Sequence, residues 1–431
     1  MSKFEVVPEL RFSGFNKAWS KKRLKEIGTF LGGGTPSKTN PDFWTGLIPW
    51  VSSSDITDDS IHQIKVTRFI TEDAIAKSAT KLVPENTILL VSRVGVGKLA
   101  VTTKNLCTSQ DFTNFSPSEG DVYFLAYYLK SKSTEFLKFN QGMAIQGFTK
   151  DDISNFAIYI PQDLEEQQKV ADCLSSMDDL IAENAKKLDL LKLHKKGLMQ
   201  KLFPEEGKSI PEFGFACNVK WIKKTFEEVY SLKTTNSLSR DKLNYDEGLV
   251  KNIHYGDIHT KFSTLFDITK EYVPFISEEI SLDKIKQESY CQEGDMVFAD
   301  ASEDIDDVGK SIELININGE KLLSGLHTIL ARQKENYLVK GFGGYLFKSE
   351  VMRNQIQKES QGAKVLGISS GRISKIDVIF PIKQSEQQRI VDCLSSLDKL
   401  IDAQTKKNEV LNKYKKGLMQ KLFPEIKESI A

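Results

Sequence analysis

The run Gly95-Val96-Gly97-Lys98-Leu99-Ala100 follows an apolar, strand-like stretch, the setting in which a G-x-G-x-x-A turn approaches a dinucleotide pyrophosphate. The residues after it, Val101-Thr102-Thr103, are β-branched where that fold needs a helix, so the run is read as a turn. The triphosphate cradle G-x-x-x-x-G-K-[ST] is not met either, because Ser37 precedes Lys38 and Leu99 follows Lys98. Five histidines (His62, His194, His254, His259 and His327) form no H-E-x-x-H pair and no Cys/His zinc spacing. Carboxylates are plentiful, but none stands in the nuclease arrangement of an acid on one strand and E-x-K on the next. The usual nucleotide, metal and nuclease signatures are thus missing together, and no metal and no cofactor of its own are expected.

Asn40-Pro41-Asp42-Phe43 departs at its third residue from the Asn-Pro-Pro-aromatic motif of amino-methyltransferases, and no glycine-rich strand–helix unit precedes it to hold a methyl donor. What the polar side chains offer instead is recognition of base edges. Arg, Lys, Asn, Gln, Ser and Thr do this when loops present them from a rigid scaffold. Glycine-rich polar loops at 32–44, 92–98, 301–310 and 324–328 fit that role. The candidates are Thr35, Ser37, Lys38, Arg93, Lys98, Gln110 and Gln146 in the first half of the chain. In the second half they are Asp300, Ser302, Lys310, His327 and Lys364. They are proposed as sets, since for any one of them bracing its own loop is the ordinary alternative.

An internal duplication dictates the elements that must carry these loops. Residues 165–205 and 385–425 align without a gap at an offset of 220, with 25 of 41 positions identical. The match continues upstream, placing Gly142, Gly147, Ile153, Ser154 and Pro161 over Gly362, Gly367, Ile373, Ser374 and Pro381. Fainter echoes pair FLAYYLKS (124–131) with FGGYLFKS (342–349), PENTILLVS (84–92) with QEGDMVFAD (292–300), and WVSSSDI (50–56) with NIHYGDI (252–258). A constant helix thus alternates with divergent heads. Each head mixes short β-like runs with modest helices, which predicts an α+β domain.

Within each repeated helix a stripe steps by alternating four and three residues, the pattern of a coiled-coil seam. The first copy places Val170, Leu174, Met177, Ile181, Asn184, Leu188, Leu191, Lys195, Leu198 and Leu202 on it. The second places Ile390, Leu394, Leu397, Ile401, Gln404, Asn408, Leu411, Lys415, Leu418 and Leu422. Asp163 with Glu166, and Ser385 with Gln388, read as capping boxes, and Pro204 and Pro424 as stops. Two packings are open: each stripe could bury itself against its own head, or the copies could pair antiparallel. The second is favoured, with Asn184, Gln404 and Asn408 setting register. Lys195, Lys196, Lys415 and Lys416 are expected to complement the C-terminal helix dipoles and stay solvated, with spacer phosphates as the alternative.

With 59 basic and 59 acidic residues the formal net charge is zero, which argues against gripping DNA unaided through a broad basic field. Five scattered cysteines without a C-x-x-C pair suggest reduced thiols. The sequence has neither a bilayer-length apolar run nor a secretory start, so a cytoplasmic protein without membrane contact is expected.

The repeated I-P-x-x-x-x-E-Q-Q, the C-L-S-S-x-D-x-L-I helix and K-K-G-L-M-Q-K-L-F-P resemble the conserved regions of type I restriction–modification specificity subunits. GGGTPS, WVSSSDI, SRVGVGK, FADASED and SGLHT resemble segments of their target-recognition domains. The resemblance implies two mixed α/β target-recognition domains (1–160 and 206–380) and two conserved coiled-coil helices (161–205 and 381–431) in a pseudo-two-fold repeat. It further implies a non-catalytic reader of a bipartite, asymmetric double-stranded DNA target, with the spacer set by the coiled coil. Two modification subunits, which bind S-adenosylmethionine, and two ATP- and magnesium-dependent restriction subunits would be its partners.

Overall fold

The computed structural model describes residues 6–139, 147–215, 219–362 and 365–424. Gly142, Gln146, Cys217 and Lys364 lie outside the described residues. The chain forms two compact units, Met1–Lys186 with Thr405–Ala431, and Lys187–Gln404. Each unit therefore contains one head together with half of each long helix, a division that cuts across the four segments expected from sequence.

In the first unit an antiparallel sheet runs in the order Gly28–Gly32, Phe112–Pro117, Thr87–Val91, Leu99–Thr102. Strand alternation splits its apolar residues between two cores. Ile88, Leu90, Leu99, Val101 and Phe115 face the helix Val122–Ser131, while Leu89, Val91, Ala100 and Phe112 face Val51, Ile56 and Leu106. The latter three belong to or adjoin a second sheet, in which Ile48–Val51 runs parallel to Leu106–Thr108. Gly95 and Gly97, both at φ +92°, turn the hairpin between Thr87–Val91 and Leu99–Thr102. The glycine-rich run is thus a β-turn of the sheet, as its β-branched sequel requires.

The second unit repeats this plan with different residues. Its main sheet runs Tyr230–Lys233, Thr328–Gln333, Met296–Ala299, Ser311–Asn316, with Leu265–Asp267 added parallel at the edge. Met296 and Phe298 enter one core, and Val297 and Ala299 the other. Lys251–Ile253 runs parallel to Leu322–Ser324, matching the parallel pair of the first head. Each head is closed by pairing its first and last strands antiparallel: Ser20–Arg23 with Ala157–Ile160, and Trp221–Thr225 with Asp377–Pro381.

The long helices span Leu164–Leu202 and Gln384–Leu422. At 1.5 Å per residue each is about 60 Å long. In the first unit Val170, Ala171 and Leu174 share a core with Leu418, Met419, Leu422 and Phe423. In the second, Leu198, Met199, Leu202 and Phe203 share one with Ile390, Val391 and Leu394. Each unit joins the start of one helix to the end of the other, so the helices pack antiparallel. Both packings considered from sequence occur together, because each helix start also sits on its own head. The seam residues Leu174, Asn184, Leu394, Leu397 and Gln404 are buried; Met177, Ile181, Leu188, Leu191, Leu198, Ile401, Asn408, Leu411 and Leu418 are half-buried.

Two local expectations are corrected. The second helix begins at Gln384, which puts Ser385 inside it, and Gln388 bonds Asp392 at 2.8 Å. Asp163 does accept from Glu165 N at 3.0 Å, but Glu166 turns away to Arg11 and Trp19. In the first helix the capping box gives way because the head offers Glu166 a stronger, charged partner in Arg11; in the second, Gln388 already lies within the helix and bonds along it. The repeated E-Q-Q has another purpose. Gln167 donates to Pro161 O and accepts from Asp121 N, and Gln387 donates to Pro381 O and accepts from Val339 N. A buried amide thereby stitches each helix start to its head through both its donor and its acceptor.

Lys195 and Lys415 also depart from expectation. Lys415 Nζ pairs with Asp178, which accepts from Tyr127 Oη at 2.6 Å; Lys195 Nζ pairs with Asp398, which accepts from Tyr345 Oη at 2.7 Å. These lysines occupy the antiparallel seam, where a carboxylate of the opposing helix outcompetes water. Lys196 and Lys416 remain exposed.

Candidate nucleic-acid interface

In the first head the glycine loop is drawn tightly over the sheet end. A Cβ on Gly33 would stand 2.0 Å from Ser109 O, so only glycine permits this approach. Gly34 N donates to Thr108 O at 2.8 Å, and Trp50 Nε1 donates to Gly34 O at 3.0 Å. This anchoring delivers Thr35, whose hydroxyl meets Gln110 Oε1, and it leaves Ser37 and Lys38 exposed. Ser37 Oγ lies 2.7 Å from Thr39 Oγ1, and Ser37 O accepts from Trp44 Nε1 at 3.1 Å. The adjoining hairpin exposes Arg93 and half-buries Lys98. Its Ser92 bonds Asp111 O at 2.8 Å through N and accepts from Phe148 N at 3.1 Å. Thr35, Gln110 and Arg93 therefore sit on loops joined by direct hydrogen bonds.

In the second head Asp300 and His327 meet side chain to side chain at 3.2 Å, and Asp300 N donates to His327 O at 3.0 Å. Burial pushes the Asp300 carboxyl up, against the pull of His327. His327 adopts φ +57° to make this turn and is half exposed. Ser302 follows on the short strand Ala301–Ser302, paired with Leu366–Gly367. Lys310 is different: its amine bonds His259 O at 2.6 Å and Asp307 at 3.3 Å, so it braces the loop.

Several neighbours are absent from the sequence candidates. Asp55 is buried and accepts from Ser52 N, Ser52 Oγ and Arg68, whose guanidinium lies 4.6 Å from the Trp50 ring centroid. Asp257, at the equivalent place, is held by Arg240 through two bonds of 2.8 and 2.9 Å and by Lys261 at 3.0 Å. Burial alone pushes the Asp257 carboxyl up, but Arg240 and Lys261 outweigh it and hold it below the usual range. Burial, then Arg240, lowers His254, whose Nδ1 accepts from Gly256 N at 3.1 Å. The neutral ring thus carries its proton on Nε2. Tyr255 packs edge-on to His327 at 5.3 Å. The repeated Asp-Ile dipeptide was the available signal, since a buried aspartate needs a cation.

Among the described residues no three His, Cys, Asp or Glu side chains converge as a metal site. No described helix is long and apolar enough to cross a membrane. Cys107, Cys173, Cys291 and Cys393 are free thiols.

The family model described as type I restriction modification DNA specificity domain matches residues 16–193 and again 218–413. The chain belongs to the type I restriction–modification specificity (S) subunit family. Each match takes in one head and most of the long helix that follows it. Among its relatives, the type I restriction enzyme MjaIX specificity subunit of Methanocaldococcus jannaschii is 36% identical over 179 residues, 41% of either chain. The EcoR124I/EcoR124II specificity subunit of Escherichia coli is 30% identical over 167 residues, which span 37% of this chain and 41% of that subunit. The aligned stretches thus cover about two fifths of these two relatives. The MjaVIII specificity subunit of M. jannaschii is 24% identical over 94% of this chain and 92% of its own. The fold of this type I S chain is shared by the crystal structure of the S subunit from M. genitalium, with a TM-score of 0.59 at 16% identity, over 97% of this chain and 100% of that one.

Proposed function

We propose that this type I specificity subunit reads a bipartite, asymmetric double-stranded DNA target, one half-site per head, with the spacer set by the helix pair. Modification and restriction subunits, two of each, would assemble on it in the cytoplasm. They would supply S-adenosylmethionine-, ATP- and magnesium-dependent chemistry, leaving this chain without catalysis of its own. The observation that carries this reading is the contrast between nearly identical helices and divergent heads built on one plan. A constant frame with two unlike heads suits two unlike half-sites at a fixed distance. Thr35, Ser37, Lys38, Arg93, Lys98 and Gln110 would contribute to one half-site, and Asp300, Ser302 and His327 to the other. Gln146 and Lys364 belong to the same proposal on sequence grounds. Neutral net charge fits a reader whose partners supply much of the phosphate contact.

Long-read methylome mapping of the host, with the gene present and deleted, tests this directly. A two-part motif with an unspecified spacer should disappear on deletion; an unchanged methylome would overturn the proposal. Replacing residues 1–150 with the corresponding head of a relative should change one half-site completely and leave the other intact. New bases in both halves would contradict one-head-per-half-site reading. Lengthening both helices by one turn should lengthen the spacer and leave both half-sites as they were. An unchanged spacer would mean that the helices do not set it.

A further inference from the structure

We infer that the three residues before each anchored aspartate, Ser52-Ser53-Ser54 and His254-Tyr255-Gly256, are specificity-determining. Asp55–Arg68 and Asp257–Arg240 act as the positioning pairs that hold them. The inference rests on the proposed bipartite reading and names where each half-site is discriminated.

The two triplets occupy one place in the fold. Each leaves the end of the strand that runs parallel to its neighbour, with Val51 beside Thr108 and Ile253 beside Ser324. Each then enters a helical turn containing the buried aspartate. Both border the loops already proposed to read bases. Ser109 N donates to Val51 O at 2.9 Å, which sets Ser52 beside the loop of Gln110, and Tyr255 contacts His327.

The arginines position rather than read. Arg240 spends four terminal N–H bonds internally, on Tyr245 Oη, on both Asp257 oxygens and on His254 Nδ1. Arg68 Nη2 is likewise divided between Ser52 Oγ at 2.6 Å and Asp55. A fork already committed in this way has little left for the bidentate contact with guanine. Instead each arginine fixes the side chains beside it, and these differ in kind. In the first head they are two hydroxyls 2.9 Å apart: Ser52 donates to Asp55 and accepts from Arg68, so Ser54 donates to Ser52 and its exposed oxygen is left to accept from a base. In the second they are an imidazole and a phenol, His254 and Tyr255, with ring centroids 4.7 Å apart. The brace is constant while the presented chemistry changes, which is what unequal half-sites require.

The test is methylome mapping of hosts carrying Ser52→Ala/Ser54→Ala, Tyr255→Ala, Arg240→Met or Arg240→Lys, with thermal unfolding of each purified subunit. The first variant should relax one or two base positions in one half-site by about tenfold or more, as loss of a base contact does. Tyr255→Ala should relax the other half-site only. Arg240→Met should reproduce the Tyr255→Ala pattern, with partial restoration by lysine, which keeps the charge and loses the fork. Uniform loss of methylation across both half-sites with a lowered Tm would reduce these residues to structural ones and overturn the inference. So would variants that keep the parental motif. A parental chain that specifies no two-part motif would instead bring down the functional proposal itself, and this inference with it.

Discussion

Lys415→Met is expected to destabilise the first unit by about 3–5 kcal/mol, whereas Lys195→Met should cost the second unit about 1 kcal/mol or less. The two lysines are equivalents in the repeat, and each pairs with an aspartate of the opposing helix that also accepts a tyrosine hydroxyl. Solvent is what separates them. Lys415 and Asp178 are 12% and 5% exposed, while Lys195 and Asp398 are 21% and 32% exposed. Methionine preserves the aliphatic stem, so the loss in the first unit is that of a buried carboxylate stripped of its cation. Asp178→Asn added to Lys415→Met should recover most of it. His62 lies 3.8 Å from Asp178, and its imidazole is lowered chiefly by burial, with Lys415 adding to the effect. Removing Lys415 lifts that contribution, so a protonated His62 should shrink the deficit as the buffer is acidified through the histidine range. Denaturant titration of both variants measures this. Equal losses would show that burial does not govern the difference.

The stability of the second unit should fall by about 3 kcal/mol between mildly acidic and neutral pH. Glu313 is buried, and burial pushes its carboxyl up to about 7, against two backbone bonds from Gly341 N at 2.6 Å and Gly344 N at 2.7 Å. Between its ordinary value and about 7 the folded chain holds a proton that the unfolded chain has released. That stabilisation is complete below the unfolded pKa and is lost as pH rises through the folded one. Glu313→Gln removes this titration and retains one carbonyl acceptor, so the stability difference between parent and variant should carry the fall while the slopes due to His254 and Asp300 remain in both. The first unit has buried Val101 at the equivalent place and should show no such slope. Chemical denaturation from pH 4.5 to pH 8 decides it, and a difference between parent and variant that stays constant throughout would refute the assignment.

Glu313 also illustrates how the heads diverged. The helix Val122–Ser131 is capped by its own Asp121, which accepts from Phe124 N at 2.7 Å. At the equivalent place in the second head stands Val339, and the short helix Phe342–Leu346 takes its acceptor from Glu313 on a neighbouring strand. The alignment of FLAYYLKS with FGGYLFKS placed these helices correctly but gave no sign that the cap had moved to another element. The two triplets were similarly aligned through Asp55 and Asp257. Their arginines were not, because Arg68 follows its aspartate by 13 residues and Arg240 precedes its own by 17.

Periodicity and repetition are local in the chain, so the amino-acid order alone determined the duplication, the two long helices, their seam positions and the mixed α/β character of both heads. Of the loops proposed to read bases, it located the glycine turn at Gly33–Gly34 and the turn at Gly95–Gly97, where backbone geometry demands the residue type. Tertiary structure decided which side chains meet. Lys415 reaches Asp178 and Arg240 reaches Asp257 because a charge taken out of water must find its counter-charge wherever the fold brings one near. That partner's place in the sequence follows no period.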